Sequence, residues 1–262
     1  KEQKQIIEIL SSLDDKIELN KKMNQILEAI DQVIFHHWFV DFDFPNENGQ
    51  PYKSTGGDMV DSELGDIPVG WEVKSLDKVA DYLNGLALQK YPVLNDEYLP
   101  VIKIRELKQG ITAQTDKASI DVPIEYIIDD GDVIFSWSGS LEVVIWGSGK
   151  GALNQHLFKV SSKEFPKWFY YYQTLGFLPS FRQTAEDKAT TMGHIKRSHL
   201  SESLVAVPDE GIIKKADKIL NPILEEIINN KINSRYLASI RNSLLPKLMS
   251  GKIRVNKLME EV

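Results

Sequence analysis

Residues 6–33 read IIEILSSLDDKIELNKKMNQILEAIDQV, a stretch without Gly or Pro in which apolar residues recur every three or four positions. That spacing places them along one face of an α-helix. The predicted helix runs from Lys1 to about Trp38, roughly 55 Å at 1.5 Å per residue. Its apolar residues form two stripes: Ile6, Leu10, Leu13 and Ile17, then Leu19, Met23, Ile26, Ile30 and Val33. Stripes of this length and spacing predict a partner helix.

A second helical pattern begins at about Gly211 and offers that partner. Its apolar positions are Ile213, Ala216, Leu220, Ile223, Ile227, Leu237, Ile240, Leu244 and Leu248. Pro222 favours a helix start nearer Asn221, and Gly251 is expected to end the helix. Because the first helix leads into the central segment and the second leads out of it, the two would pair antiparallel as a coiled-coil stalk. The alternative is a helical subdomain folded over the central segment.

The central segment has a different character. Residues 41–69 are rich in Gly, Pro, Asn and Asp, which is typical of a linker. Short strand-like runs and turns follow over residues 70–208, with a helical stretch near 165–176. The strand-like runs are YLPVIKI (98–104), GDVIFSW (131–137) and HLFKV (156–160). The sequence therefore predicts an α+β protein, with one mixed, β-rich globular domain (70–208) between long helices over residues 1–40 and 211–262.

Composition excludes several classes of protein. The chain has no Cys, so disulfide scaffolds, Cys-based zinc sites and thiol nucleophiles are excluded. No signal peptide or membrane-length apolar run is evident, and we expect a cytoplasmic protein. The formal net charge is -7, whereas an isolated DNA-binding domain is usually basic. Any DNA-binding role must explain this acidic balance.

The stretch FHHWFVDFDF (35–44) raises the question of a metal site, because His and Asp are common metal ligands. Adjacent histidines on a helix point about 100° apart, so both cannot easily face one metal ion. Val40, Phe42 and Phe44 alternate with Asp41 and Asp43, which predicts a short strand. The favoured interpretation is a junction in which Trp38, Phe39 and these aromatic residues attach the helix to the central domain.

Several segments, in order, resemble one known family. LSSLDDKIELNKKMNQILEAI followed by WFVDFDF is similar to the central conserved helix of type I restriction–modification specificity subunits, and SLLPKLMSGKIRV (243–255) is similar to the end of their second conserved helix. Between them, five motifs follow the pattern of the family's target recognition domain: GWEVKSLDKVADYLNG, LPVIKIRELKQG, DVIFSWSGS, ALNQHLFKV and TTMGHIKRSHL. The resemblance covers nearly the whole chain.

The resemblance implies a non-catalytic subunit that reads double-stranded DNA. It also implies binding to methyltransferase subunits and, through them, to the restriction subunit, with S-adenosylmethionine, ATP and Mg²⁺ held only on those partners. Members of the family normally have two recognition domains, whereas one is evident here. The chain is then either a half-sized subunit that forms a homodimer or a fragment. Two other hypotheses stay open: a coiled-coil scaffold whose head binds another protein, and an enzyme with an unrecognised site.

The motifs of the obvious enzymes are missing from the sequence. NPIL (221–224) lacks the second Pro and the aromatic residue that amino-methyltransferases use to hold a flipped base. GSGKG (147–151) has no phosphate-loop spacing and is expected to be a hairpin turn. PDE (208–210) begins a metal-nuclease pattern that nothing completes.

Candidate DNA contacts come from basic, hydroxyl and amide side chains near turns. Arg and Lys suit phosphates and guanine edges, Thr suits phosphates or a thymine methyl, and Asn or Gln suits an adenine edge. Lys103 and Arg105 are expected on one face of a strand, although edge-strand charges that discourage aggregation have the same pattern. Asn154 is as well explained by a buried turn. The candidates are Gln89, Lys90, Lys103, Arg105, Ser138, Lys150, Asn154, Gln155, Thr190, Thr191, His194, Lys196 and Arg197.

Overall fold

Two long helices dominate the computed structural model, which describes residues 2–187 and 193–254. Helix α1 spans Glu2–Phe39 and helix α6 spans Glu210–Met249. They pack antiparallel, since Asp14 pairs with Arg241 while Asn24 contacts Asn230. This confirms the predicted antiparallel stalk. No helix of the described ranges is long and apolar enough to cross a membrane.

Helix α6 begins earlier than the sequence suggested. The side chain of Asp209 accepts hydrogen bonds from the backbone N–H groups of Gly211 (2.7 Å) and Ile212 (3.1 Å), which caps the helix. The predicted start near Asn221 is therefore wrong, and PDE (208–210) is a helix cap. The helix continues through Pro222 because Leu220 and Leu224, on either side, are fully buried. Gly251, with φ +67°, follows its end as predicted.

The seam between the stalk helices is partly polar. Asn24 is buried and donates to the carbonyl of Ile227 (3.0 Å), while the amide of Asn230 donates to Asn24 Oδ1 (3.0 Å). Asn20 donates to Ser234 Oγ at 3.2 Å. These bonds satisfy the buried amides, as burial requires.

The second apolar stripe of α1 lies outside that seam. Its five residues are exposed on the surface: Leu19 51%, Met23 42%, Ile26 57%, Ile30 43% and Val33 69%. The partner helix α6 therefore does not cover this stripe. We refer to these five residues as the outer stripe.

The head consists of short strands and helices between α1 and α6. The strands are β1 (Met59–Val60), β2 (Ile67–Pro68), β3 (Glu72–Ser75), β4 (Asp81–Asn84), β5 (Leu99–Ile102), β6 (Lys117–Ala118), β7 (Ile127–Ile128), β8 (Val133–Ser136), β9 (Val143–Ile145), β10 (Gly151–Leu153), β11 (Leu157–Ser161) and β12 (Leu204–Val207). The helices are α2 (Leu76–Val79), α3 (Ile104–Gln109), α4 (Lys167–Asp187) and α5 (Arg197–Glu202), with 3-10 turns at Leu88–Lys90 and Ile124–Tyr126. This confirms the α+β class.

Two four-stranded sheets form the centre of the head, in the orders β6-β5-β10-β7 and β4-β11-β8-β9. β12 pairs with β3, and β1 pairs with β2. GSGKG (147–151) joins β9 of one sheet to β10 of the other, so it is not the predicted hairpin turn. β11 follows β10 after a short turn, residues 154–156, and this turn carries part of the candidate site.

The segment after α1 is not a strand. Phe42 has φ +63°, which interrupts extended backbone, and the only pairing nearby is an isolated bridge between Pro45 and Pro51 within the described residues. Asp41 and Asp43 consequently have separate partners: Asp41 lies 3.0 Å from His36 Nδ1, and Asp43 accepts a hydrogen bond from the backbone N–H of Ser54 at 2.7 Å. No three metal-ligating side chains are grouped anywhere in residues 2–187 and 193–254.

Aromatic residues join the stalk to the head. Phe39 is buried, with its ring centroid 5.4 Å from that of Trp168 and 6.0 Å from that of Trp71. Phe44 stacks on Trp71 at 5.3 Å, and Trp38 is buried in the same cluster. The core is therefore continuous from the helices into the head. A bidentate ion pair from Arg235 on α6 to Asp130 (2.7 and 2.8 Å) adds a polar connection.

Candidate nucleic-acid interface

Two loops of the head meet and form a rigid surface. Gly139, with φ +66°, donates its N–H to the carbonyl of Gly193 (3.0 Å), and Ile195 donates to the carbonyl of Trp137 (3.0 Å). Ser138 and His194 form the bridge between these bonds. Two predicted site residues, Ser138 and His194, are thus neighbours although far apart in sequence.

The ring of Trp137 lies beside this pairing and is half-buried. Its centroid is 5.8 Å from that of His156 and 6.4 Å from that of His194. Its indole N–H donates to Asn84 Oδ1 at 2.8 Å, which orients the ring. The 137–139 loop, the 193–196 segment paired with it, the 154–156 turn and the end of β4 therefore converge here, and we call this surface the loop cluster.

A chain of side chains crosses the loop cluster. Ser138 Oγ lies 3.0 Å from His156 Nδ1, and Gln155 Nε2 lies 3.4 Å from His156 Nε2. Ser138 is 5% exposed, whereas Gln155 and His156 are half-buried and accessible. The amide of Gln155 is thus accessible at the surface and contacts His156.

Asn154 plays a different part from its neighbour. It is 4% exposed, its N–H donates to the carbonyl of Ile102 (3.1 Å), and its Oδ1 accepts from the N–H of His156 (3.3 Å). These contacts favour the structural interpretation, in which Asn154 shapes the turn.

Lys196 and Arg197 follow the 193–195 pairing directly. Lys196 is exposed at the start of α5. The guanidinium of Arg197 donates to the carbonyl of Tyr82 (2.9 Å) and lies 5.5 Å from the centroid of the Phe158 ring. Arg197 is therefore anchored to the sheet, while Lys196 projects beside the loop cluster. Thr190 and Thr191 lie outside the described residues.

Lys103 and Arg105 do not lie on a strand. Lys103 is the N-cap of α3, Arg105 belongs to that helix, and the strand β5 ends at Ile102. Lys103 forms an ion pair with Asp116, whose pKa it lowers by hydrogen bonding and charge. Arg105 lies 2.7 Å from the fully buried carboxylate of Glu106. The predicted shared strand face is wrong, because the chain turns into a helix at Lys103.

The remaining predicted residues lie on other parts of the head. Gln89 and Lys90 are exposed on the 3-10 turn at Leu88–Lys90, which Leu88 anchors in a separate apolar cluster. Lys150 follows Gly149, where an added Cβ would lie 2.9 Å from Arg235 Nη1, so this loop faces the stalk. The structure therefore brings together Ser138, Gln155, His194 and Lys196, with Arg197 beside them.

Sequence reasoning missed two members of the loop cluster, Asn84 and His156. Lys108 donates to Ser140 Oγ at 2.7 Å and lies next to the 137–140 loop. His156 is adjacent to the predicted Gln155, yet its partner Ser138 is 18 residues away. Ser138 and His156 become neighbours because β8 pairs with β11.

Comparison with known proteins identifies the family. The model of the type I restriction modification DNA specificity domain matches residues 68–235, more than half of the chain. The chain belongs to this family. The specificity-domain match includes the whole loop cluster, from Asn84 to Lys196.

Relatives and solved structures agree with the assignment to the specificity family. The chain is 31% identical, over 98% of its length, to the type I restriction enzyme MjaIX specificity subunit of Methanocaldococcus jannaschii, and covers 60% of that protein. It is 25% identical, over 96% of its length, to the HindI specificity subunit of Haemophilus influenzae, and covers 67% of it. The type I restriction–modification S subunit from M. genitalium shares the fold, with a TM-score of 0.60 at 14% identity over 94% of this chain and 60% of that one. The chain thus spans about 60% of the length of the MjaIX subunit.

Proposed function

We propose that this chain is a DNA-reading specificity subunit of a type I restriction–modification complex and that its head reads one half of a bipartite target. The observation that carries the proposal is the loop cluster: amide, imidazole, hydroxyl and ammonium groups on a surface held rigid by backbone hydrogen bonds. Rigid side-chain donors and acceptors are what base-edge readout requires. In this proposal residues 70–208 are the recognition domain and the two long helices are a spacer.

The proposed partners are methyltransferase subunits, with the restriction subunit attached through them. The outer stripe supports this role, because five exposed apolar residues on one helix form a surface that a partner helix can cover. S-adenosylmethionine, ATP and Mg²⁺ are proposed to lie on those partners, and this chain is proposed to have no catalytic activity of its own.

The acidic balance sets how the isolated chain should bind. The chain has a net charge of -7, so few of its cations are available to neutralise DNA phosphates and release their counterions. Binding by the chain alone should therefore be weak and salt-sensitive. Tight binding is expected only with the methyltransferase subunit present. Tight binding by the isolated chain at physiological salt would contradict this picture.

The test is DNA methylation by the chain reconstituted with its methyltransferase subunit, with the methylated motif read by sequencing. Lys196→Ala should weaken binding to all sequences alike and lower the slope of log K against log salt by about one. Lys163→Ala is the matched control, because Lys163 is an exposed lysine beyond the far end of β11 from the loop cluster. Reconstituted protein that methylates no defined motif would overturn the proposed function and favour a protein-binding scaffold.

A further inference from the structure

The amide of Gln155 lies against the ring of His156, and this contact occupies one of its hydrogen-bonding groups. The amide nitrogen lies 3.4 Å from His156 Nε2, and the other ring nitrogen lies 3.0 Å from Ser138 Oγ. An amide N–H can donate only to an unprotonated ring nitrogen. When Gln155 donates to Nε2, the ring hydrogen lies on Nδ1 and is directed at Ser138 Oγ.

Two groups of the Gln155 amide remain for a ligand: the second amide hydrogen and the carbonyl oxygen. One donor next to one acceptor matches the major-groove edge of adenine, where N7 accepts and the N6 amino group donates. It does not match guanine, which presents two acceptors, N7 and O6. The neighbouring amide of Asn154 is excluded from this role, since it is buried and bonded within the turn.

The ring of His156 is held from two directions. Ser138, itself 5% exposed, contacts Nδ1, and the Trp137 ring lies beside the imidazole with the centroids 5.8 Å apart and the planes tilted by 44°. Trp137 is in turn held by Asn84 at 2.8 Å. The His156 ring is thus positioned before any DNA binds, and its contact with Gln155 restricts the amide, which lowers the entropy lost on binding.

We propose that Gln155 reads one adenine of the target half-site in the major groove, with His156 and Ser138 as positioning residues that fix the orientation of its amide. This rests on the proposed function. Beyond the proposed function, it names adenine as the base that is read and His156 and Ser138 as the residues that position Gln155. Lys196 and His194, on the adjoining loop, are placed beside this contact and do not define the base.

The test measures base discrimination by the chain reconstituted with its methyltransferase subunit. Each adenine of the half-site is replaced in turn by 7-deazaadenine, which lacks the N7 acceptor, or by another base. The wild type should lose roughly ten-fold to a hundred-fold in affinity at one of these positions. Gln155→Ala should show no further loss at that position and ordinary losses at the others. Gln155→Glu, with two acceptors, should shift the preference there towards cytosine, whose N4 amino group donates.

The positioning role has its own readout. His156→Ala should lower discrimination at the same single position more than it lowers binding to non-specific DNA, and Ser138→Ala should do so to a smaller extent. His156→Gln, whose side-chain oxygen can accept the Gln155 amide hydrogen, should restore part of the discrimination. Circular dichroism and the melting temperature establish that each variant is folded.

Gln114→Ala is the matched control, an exposed glutamine on the loop before β6. If the wild type shows sequence preference but Gln155→Ala reads the same motif with equal discrimination, this inference is wrong and the proposed function stands. If the wild type shows no sequence preference at all, the proposed function itself fails.

Discussion

At the scale of single residues, Asp31 has the most unusual environment. It is fully buried at the contact between α1 and α4, and burial raises its pKa to about 7. Its Oδ2 accepts a hydrogen bond from the hydroxyl of Tyr172 at 2.9 Å, whereas no donor of the described residues reaches Oδ1. Glu28, one turn earlier, adds negative charge nearby and forms an ion pair with Lys231. Ionising Asp31 therefore places an unpaired charge in the core.

This environment predicts a pH-dependent stability. The pKa of Asp31 is higher in the folded chain (about 7) than its ordinary value of 3.8, so the folded state binds a proton that the unfolded state releases. The free energy of unfolding should fall as pH rises from about 4 to about 7 and then level off. Asp31→Asn should remove this component and stabilise the chain above pH 7 by roughly 2–4 kcal/mol, at about 1.4 kcal/mol per unit of pKa.

Urea denaturation of both proteins between pH 4 and 8 measures the difference. The stabilisation by Asp31→Asn should grow through this range, while Asp15→Asn, at an exposed position on the same helix, should change little. A stabilisation that is equal at pH 4.5 and pH 8 would contradict the predicted ionisation.

At the scale of elements, helix α1 has one face with buried polar residues and another with exposed apolar residues. Asn20, Asn24 and Asp31 are buried, while the outer stripe is exposed. An ordinary amphipathic helix buries its apolar stripe, whereas this one leaves five apolar residues exposed. This exposure is reasonable if a further partner covers the outer stripe, as proposed for the methyltransferase subunit.

Charge in the outer stripe should separate partner binding from folding. Ile26→Asp together with Ile30→Asp changes residues that are 57% and 43% exposed, so the free energy of unfolding should change by less than about 1 kcal/mol. Capture of the methyltransferase subunit should be lost. Leu224→Ala is the contrasting variant, because Leu224 is fully buried in α6 and its truncation should cost about 2–5 kcal/mol. Analytical ultracentrifugation of the mixed subunits measures capture, and denaturant unfolding measures the free energy of unfolding. Unimpaired capture by the double variant would exclude this surface as the docking site.

The junction at the end of α1 gives a second test at this scale. Trp38 is 8% exposed within the aromatic core, and Trp38→Ala should destabilise the chain by about 3–5 kcal/mol and reduce methylation by the reconstituted complex. His36→Gln with His37→Gln should leave methylation nearly intact, since both side chains are exposed. Loss of methylation in the histidine variant, with its melting temperature unchanged, would restore a direct role for these residues.

At the scale of the whole molecule, the stalk fixes the distance between the head and the opposite end of the two helices. That end is where Asp14 of α1 meets Arg241 of α6. In the proposed function a second recognition domain lies beyond it, in a longer chain or a second copy. The helices then act as a spacer that sets the gap between the two halves of the target.

Lengthening both helices should change that gap. Seven residues inserted after Asp14 and seven before Arg241 keep the seam paired and add about 10 Å at 1.5 Å per residue. The preferred gap should grow by about three base pairs, since base pairs are about 3.4 Å apart. Sequencing of methylated DNA reads the gap directly. Insertion into one helix only is the control and should disrupt the seam; an unchanged gap in the double insertion would contradict the spacer role.

The sequence by itself determined the two long helices and the family. Apolar spacing predicted both long helices, because hydrophobic periodicity follows the helical repeat whatever lies around the helix. The order of the motifs was sufficient to indicate a specificity subunit, and the family match over residues 68–235 agrees.

Only the tertiary structure decided which faces are covered and which side chains meet. Periodicity places residues on one face of a helix but does not say what packs there. The sequence could therefore not show that α6 covers the Asn24 face of α1 and leaves the outer stripe exposed. Likewise Asn154 and Gln155 are equivalent amides in sequence. The pairing of β8 with β11 buries the first and places Ser138 and His156 next to the second. Contacts of this kind depend on residues distant in the chain, and no local pattern encodes them.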